Sequence, residues 1–185
     1  MRSMRVLFVL AGLGQTAWLA SALSRRWASP LDGGHTFRGR RIFGDNKTWR
    51  GLVVMVPAAG ASFAMLAVLA RESPSVAGGV WPLSVGGYAG LGLGAGLGFM
   101  AGELPNSFLK RQLDVPAGQA ADGPIARPAF FVLDRIDSAA GMMLALSLFV
   151  PVHAGTWLWV FLVGPVLHGL FSVLVFQLGG KARAA

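Results

Sequence analysis

Three groups of polar residues in this chain could carry out chemistry, and each lies next to a long apolar segment. The first group spans residues 30–51, where glycines and turn formers alternate with basic side chains. Flexible backbone amides and guanidinium groups suit the oxygen atoms of a phosphate. We therefore predict a phosphate-binding loop that uses Arg38, Arg40, Arg41, Lys47 and Arg50. The alternative is an ordinary basic loop on the inner side of a membrane, with no ligand.

The second group, residues 102–111, follows the third long apolar segment, near residues 80–101. If a helix continues through it, Glu103, either Asn106 or Ser107, and Lys110 share one face, at spacings of three or four and seven. That face would offer an acid, a small polar group and a cation together. A helix end with snorkelling cations would explain Lys110 and Arg111, but it leaves Glu103 at the membrane boundary unexplained.

The third group contains Asp134, Asp137 and Ser138. The two aspartates are three residues apart and so lie on one helix face. The apolar stretch that follows, residues 139–152, is too short to cross a membrane alone, so the carboxylates must lie at or below the headgroup level. Unpaired carboxylates there are costly. Pairing with Arg135 and loop cations is one solution, and we favour the other, Mg²⁺ with its preference for oxygen ligands.

The remainder of the chain forms the elements that position these groups. It has 185 residues, of which 54% are hydrophobic and only 13% charged, too few charges for a soluble domain of this size. We predict an all-α, polytopic membrane helix bundle in a single domain, residues 1–185, with two long cytoplasmic loops, 24–50 and 102–129. About five transmembrane helices are expected, near residues 6–23, 52–70, 80–101, 130–152 and 156–178.

The distribution of basic residues predicts the orientation. Of the 16 Lys and Arg residues, only Arg2, Arg5 and Arg71 fall on one side of the predicted bundle. The positive-inside rule then places the N-terminus outside and the active face in the cytoplasm, in a multi-pass protein of the plasma (inner) membrane. A cleaved signal peptide at the N-terminus would reverse this orientation. Because the cations lie between apolar segments, the net charge of +8 indicates membrane lipids and phosphorylated substrates as partners rather than nucleic acid.

Two features inside the predicted spans bear on packing. The third span carries a glycine ridge with a period of four, at Gly86, Gly90, Gly94, Gly98 and Gly102. We favour close helix packing within the bundle over a homodimer seam along this ridge. His168 lies at membrane depth, where a bond to a neighbouring backbone carbonyl is the simpler interpretation of a single histidine.

These motifs resemble a known family. The Pro30-to-Gly51 stretch, with its Lys47-Thr-Trp-Arg-Gly51 ending, is similar to the first loop of the CDP-archaeol synthases. Ser107-Phe-Leu-Lys-Arg111 and Asp134-Arg-Ile-Asp137 resemble the S-x-x-K-R and D-R-x-D elements of the wider CTP:phosphatidate cytidylyltransferase group. The likeness covers both long loops and the five-span layout.

The resemblance implies an Mg²⁺-dependent transfer of CMP from CTP to a phosphorylated glycerolipid, which gives a CDP-lipid of the CDP-archaeol or CDP-diacylglycerol type and pyrophosphate. It implies that Asp134 and Asp137 hold the metal, while Glu103 stands where the family usually has aspartate. The phosphates would be bound by Lys110, Arg111 and the first loop, including Asp32 and Thr48, and Ser107 would support the site.

Two other functional classes remain open from the sequence. A non-catalytic scaffold or small transporter would explain the glycine ridge but not the carboxylates beside cations on one face. A CDP-alcohol phosphotransferase would begin its motif D-G-x-x-A-R, whereas Asp32-Gly33 is followed here by Gly34-His35.

Overall fold

The computed structural model describes residues 27–72 and 80–177, which form a short hairpin and four helices. The hairpin pairs β1 (Thr36–Phe37) antiparallel with β2 (Arg40–Arg41). The helices are α1 (Trp49–Glu72), α2 (Val85–Gln112), α3 (Ala126–Ser147) and α4 (Ala154–Gln177). The all-α class is confirmed for these residues. The first predicted span, residues 6–23, lies outside them, so the count of five spans remains a prediction.

The helix ends differ from the predicted spans. Ser84 caps α2, because its hydroxyl accepts a hydrogen bond from the Gly87 amide at 3.0 Å. The helix then continues to Gln112, and α3 already begins at Ala126, so the predicted long loop 102–129 is wrong and the connector is residues 113–125. Helical hydrogen bonds are local and do not require apolar side chains, so a helix can extend beyond its membrane-spanning residues. At its other end α3 stops at Ser147, short of the predicted residue 152.

Helix α2 lies between α1 and α3, and glycines let both neighbours approach its backbone. A Cβ atom built on Gly92 would lie 2.4 Å from the Ala59 carbonyl oxygen of α1. On the other side, a Cβ on Gly98 would lie 2.4 Å from the Gly141 carbonyl of α3, and one on Gly102 would lie 2.4 Å from the Asp137 carbonyl. Such contacts are typical of small-residue packing between membrane helices.

The predicted packing role of the glycine ridge is therefore confirmed at its C-terminal half. At the other half, a Cβ on Gly90 would meet no atom of the described residues within 4 Å. A homodimer seam, the alternative interpretation, would have only that half of the ridge available. His168 belongs to α4, but its side chain lies outside the described part of the structure.

Apolar side chains cover much of the surface. Leu158, Leu162, Val166 and Leu170 form a stripe along α4, and each is 61% or 62% exposed. A soluble protein rarely exposes such a surface, whereas a helix that faces lipid does. By length and composition, α1 is the one helix of the described ranges suited to crossing a membrane, and α4 contains a shorter apolar stretch, Ala154–Val166. These features indicate a membrane protein.

Candidate active site

Three polar side chains line up on the C-terminal half of α2. Glu103, Asn106 and Lys110 are spaced by three and four residues, so the turns of the helix place them on one face. Asn106 and Lys110 are buried, as is the neighbouring Ser107. The sequence left Asn106 and Ser107 as alternatives on this face, and the hydrogen bonds of the structure select Asn106.

Helix α3 presents its two aspartates to that face. The Asn106 amide nitrogen donates to Asp134 Oδ1 and to Asp137 Oδ2, both at 2.8 Å. The Lys110 ammonium donates to both oxygens of Asp134, at 2.5 and 2.6 Å. The same ammonium lies 5.4 Å from the centre of the Phe130 ring, within range of a cation–π interaction. Residues predicted from two separate motifs therefore meet at one helix interface.

Ser138 connects the aspartate pair to Glu103. Its hydroxyl lies 2.8 Å from Glu103 Oε1 and 3.2 Å from Asp137 Oδ1, and its single proton can go to one of them at a time. Its backbone amide donates to Asp137 Oδ1 at 2.6 Å. Ser138 is only 2% exposed. Three carboxylates, one amide, one hydroxyl and one ammonium thus form a continuous polar network between α2 and α3.

The first loop reaches this network through Lys47. The Lys47 ammonium forms an ion pair with Glu103, and both side chains are largely shielded from solvent, 16% and 18% exposed. The base of the loop is closed by an antiparallel bridge between Pro30 and Thr48 and by a 2.7 Å bond from the Leu31 amide to the Lys47 carbonyl. Because a shielded ion pair is costly to break, this contact fixes one side of the loop against α2.

Asp32 organises the loop from within. Its carboxylate is buried and accepts hydrogen bonds from Arg41 and from the backbone amides of Gly34, Phe43 and Gly44. Burial alone would raise the pKa of Asp32, but these donors outweigh it and hold the pKa well below its ordinary value. Its lone pairs are occupied and its charge would repel a phosphate. These contacts give Asp32 a structural role in the loop, and its assignment to phosphate binding stays a prediction.

Three predicted phosphate-binding arginines surround a cavity of about 290 Å³ between the first loop and the 113–125 connector. Arg40 and Arg41 line it from the hairpin, and Arg111 lines it from α2. Arg40 pairs with Asp114 at 2.5 Å, and Arg41 pairs with Asp32 at 2.6 Å. Arg111 is buried, and its Nε has no hydrogen-bond partner within the described ranges. Asp45 also lines the cavity and pairs with Arg41 at 2.8 Å, so the three arginines face two aspartates there. The lining therefore has one excess positive charge, and Arg111 has an unused donor within the described residues.

Three other predicted residues of the first loop, Arg38, Thr48 and Arg50, do not line this cavity. Arg38 has a positive φ of 52°, is exposed, and lies 5.3 Å from the centre of the Phe37 ring. Thr48 takes part in the bridge at the loop base, which is a structural contact. Arg50 is the second residue of α1, and its Nε is buried without a partner among residues 27–72 and 80–177. Of these three, Arg50 alone combines charge with an unused buried donor.

The donor set partly fits the predicted magnesium ion. Asp134 and Asp137 offer four carboxylate oxygens, and the buried Asn106 Oδ1 has no hydrogen-bond partner in the described chain. Carboxylate and amide oxygens are the ligands that Mg²⁺ accepts. However, no three acidic or histidine side chains of the described residues converge on one metal position. The predicted trio with Glu103 is therefore not assembled, because Lys47 and Ser138 hold Glu103.

The sequence analysis placed two members of the network near the candidate residues but gave neither of them a role in the site. Asn106 and Ser138 each bridge two carboxylates. For Asn106 the signal was its place on the face of Glu103 and Lys110. For Ser138 it was its position directly after Asp137, at a spacing of four from Asp134. In both cases, which acids the side chain bridges depends on how α2 and α3 pack.

The arrangement suits chemistry on phosphates. Cations from the first loop and from α2 lie beside carboxylates that could hold a divalent ion, and both lie next to an apolar helix surface. Phosphoryl and nucleotidyl transfer depend mainly on positioning phosphates and neutralising their charge. The same arrangement has no evident use in a packing scaffold.

Comparison with known proteins identifies the family. A model of the CarS-like family, described as CDP-archaeol synthase, matches residues 13–183. The CDP-archaeol synthase of Halobacterium salinarum is 34% identical over 163 residues, which cover 82% of this chain and 81% of that protein. The one from Thermococcus onnurineus is 31% identical over 157 residues, with coverage of 83% and 81%.

A solved structure supports the fold. It is described as an intramembrane enzyme for archaeal membrane lipid biosynthesis, and it matches with a TM-score of 0.59 over 89% of each chain at 24% identity. The family model and the two curated relatives confirm the family resemblance inferred from the sequence. The chain belongs to the CDP-archaeol synthase family.

Proposed function

We propose that this protein is a cytidylyltransferase that moves CMP from CTP to the phosphate of a membrane glycerolipid. A phosphate oxygen of the lipid attacks the α-phosphorus of CTP and forms a new P–O bond. The bond from the α-phosphorus to the oxygen that it shares with the β-phosphorus breaks, and pyrophosphate leaves. The products are a CDP-lipid and pyrophosphate.

The observation that carries this proposal is the polar network between α2 and α3, together with membership of the family. Lys110 and Asn106 of α2 contact both aspartates of α3, and Lys47 brings the first loop to the same place. A binding site that holds lipid phosphate and nucleotide side by side makes their reaction effectively intramolecular. Neither a scaffold nor a transporter accounts for this convergence, and the motif of the CDP-alcohol phosphotransferases is missing.

We assign phosphate binding to the cations around the network and the adjoining cavity. Lys47, Lys110 and Arg111 would offset negative charge on the α-phosphate and on the departing pyrophosphate. Arg40, Arg41 and Arg50 would hold the rest of the triphosphate, while Ser107 packs in the buried turn between Asn106 and Lys110. Lys47 and Lys110 are each paired with a carboxylate in this structure, so their ammonium groups are already positioned at the interface.

Asp134 and Asp137 are the residues that would hold Mg²⁺. When bound, the ion would neutralise charge on phosphate oxygens and help to orient them. Glu103 would act mainly through Lys47, because the Lys47 ammonium already pairs with its carboxylate.

We further propose five spans, with the active face in the cytoplasm and the N-terminus outside. Support comes from the basic residues, since only three of 16 fall on the other side. The chain has no cysteine, so single cysteines can be labelled without background. An impermeant thiol reagent should label Ser75→Cys from outside intact cells and should label Gln119→Cys only after lysis. Labelling of Gln119→Cys in intact cells would refute this orientation.

The reaction is tested with purified protein, Mg²⁺, CTP labelled at the α-phosphorus and phosphorylated glycerolipids with ester-linked or ether-linked chains. Label should enter lipid with at least one of them, and an equal amount of pyrophosphate should appear. The lipid that reacts faster defines the chain chemistry. If a folded protein incorporates no label with any lipid, the proposed function is wrong.

A further inference from the structure

Asn106 occupies an unusual position between the two aspartates. It is only 8% exposed, and its amide nitrogen is shared by Asp134 Oδ1 and Asp137 Oδ2 at 2.8 Å each. Its own carbonyl oxygen is buried with no hydrogen-bond partner in the described part of the chain. An unsatisfied buried acceptor of this kind is destabilising, so it calls for an explanation.

The charges around Asp137 point to the explanation. Lys110 neutralises Asp134, whereas the described partners of Asp137 are neutral donors, the Asn106 amide and the Ser138 amide and hydroxyl. Glu103 lies beyond the shared Ser138 hydroxyl, but Lys47 already pairs with its carboxylate. A partly buried carboxylate without a cation of its own is costly, and within the described residues Asp137 is the carboxylate of this network in that state.

A carboxamide can bind either a carboxylate, through its N–H groups, or a cation, through its oxygen. Its oxygen and nitrogen are nearly equal in size and exchange places when the group rotates by a half-turn about its last bond. Without a cation, the N–H groups face the two carboxylates. With a cation between the carboxylates, the rotated group would present Oδ1 to the cation, and the carbonyl that now lacks a partner would gain one.

We propose that Asn106 is a metal ligand, which contributes Oδ1 as the third oxygen donor to a divalent cation held by Asp134 and Asp137. Three protein oxygens from two helices leave room for water and phosphate ligands, as Mg²⁺ sites in phosphoryl-transfer enzymes usually do. This inference rests on the magnesium requirement of the proposed function. It assigns a role to a residue that neither the S-x-x-K-R nor the D-R-x-D motif contains.

The test measures metal binding in the absence of CTP and lipid. Purified protein is titrated with Mn²⁺, and free Mn²⁺ is followed by electron paramagnetic resonance. Asn106→Ala should raise the Kd for Mn²⁺ by about 10-fold or more, the range seen when groups around a metal site are lost. Gln112→Ala is the matched control, since it removes a carboxamide from the end of the same helix, and it should leave the Kd unchanged.

Asn106→Asp separates a ligand from a mere hydrogen-bond donor, even if the alanine variant folds poorly. Asp keeps an oxygen but cannot donate to the two carboxylates. If Asn106 is a ligand, Asn106→Asp should have a lower melting temperature than the parent in the absence of metal, and it should bind Mn²⁺ at least as tightly. Mg²⁺ should then raise the melting temperature of this variant by more than it raises that of the parent. Loss of stability that Mg²⁺ does not restore, or an unchanged Kd in Asn106→Ala, would overturn the proposal and leave the metal requirement intact. A parent protein that binds no Mn²⁺ would overturn both.

Discussion

Gly102→Ala offers a sharp test of whether the spacing of α2 and α3 positions the site. Gly102 lies one residue before Glu103 and four before Asn106, and a Cβ built on it would be 2.4 Å from the Asp137 carbonyl oxygen. A carbon and a carbonyl oxygen normally stay about 3.3–3.6 Å apart, so the helices must separate by about 1 Å at this level. The neighbouring Gly141 Cα, 3.0 Å from the same Cβ, leaves little room to move sideways.

That separation would act directly on the network. The 2.8 Å bonds from Asn106 to the two aspartates would lengthen towards 3.8 Å, which is beyond a hydrogen bond. Overpacking of this kind costs about 1–3 kcal/mol of stability. A misplacement of about 1 Å in an active site can cost about 100-fold in rate. We therefore expect Gly102→Ala to reduce CMP transfer by about two orders of magnitude at a modest loss of stability.

The assay is CMP incorporation into lipid at saturating CTP, with thermal unfolding of the same preparation in detergent. Gly90→Ala is the matched control, because it changes the same residue type in the same helix, where a Cβ meets no described atom within 4 Å. It should keep its activity and change stability by no more than about 1 kcal/mol, the difference in helix propensity. If Gly102→Ala stays within about twofold of the control in rate, the spacing of these helices does not position the site.

Three further predictions concern single side chains. Asp134→Asn and Asp137→Asn should each abolish CMP transfer in a folded protein, because they remove the charges that would hold the metal; near-normal turnover at saturating Mg²⁺ would return both residues to a structural role. Glu103→Gln should raise the KM for CTP while leaving the Kd for Mn²⁺ unchanged, since Glu103 pairs with Lys47, and a weakened Mn²⁺ affinity would instead make it a ligand. Because the pKa of Asp32 is lowered in the folded protein, its contribution to stability is full above the unfolded pKa of about 3.9 and is lost as the pH falls below that value. Asp32→Asn should therefore have a lower melting temperature than the parent near neutral pH and should lose less stability on acidification. A constant difference in melting temperature between parent and variant from pH 7 to pH 3 would contradict this.

Local patterns in the sequence were sufficient for part of the site. The shared face of Glu103, Asn106 and Lys110 follows from the helical period, and so does the pairing of Asp134 with Asp137. The family motifs lie in the same segments, and the family itself is confirmed. Such features depend on residues a few positions apart, which is the range over which a helix fixes geometry.

Other features depend on how distant segments pack, and the sequence predicted them poorly. Lys47 and Glu103 are 56 residues apart, so their ion pair could not be read from spacing. Asp32 carried a motif match, but its role follows from a loop that folds round it. The predicted third span ends at residue 101, where the apolar residues end, but α2 continues to Gln112. The difference arises because backbone hydrogen bonding, rather than hydrophobicity, determines where a helix ends.

The glycine contacts also limit how the protein can vary. Where Gly98 and Gly102 meet Gly141, the touching atoms are largely backbone, and there are few side chains at the contact that a second mutation could trim. A bulky substitution in a side-chain core can often be rescued by shrinking its neighbour. Intragenic suppressors of Gly102→Ala should therefore be rare at that contact. The lipid-facing stripe of α4, in contrast, should exchange one apolar residue for another freely, so a library selected for activity would show variation concentrated on α4 and nearly absent from the glycine crossing.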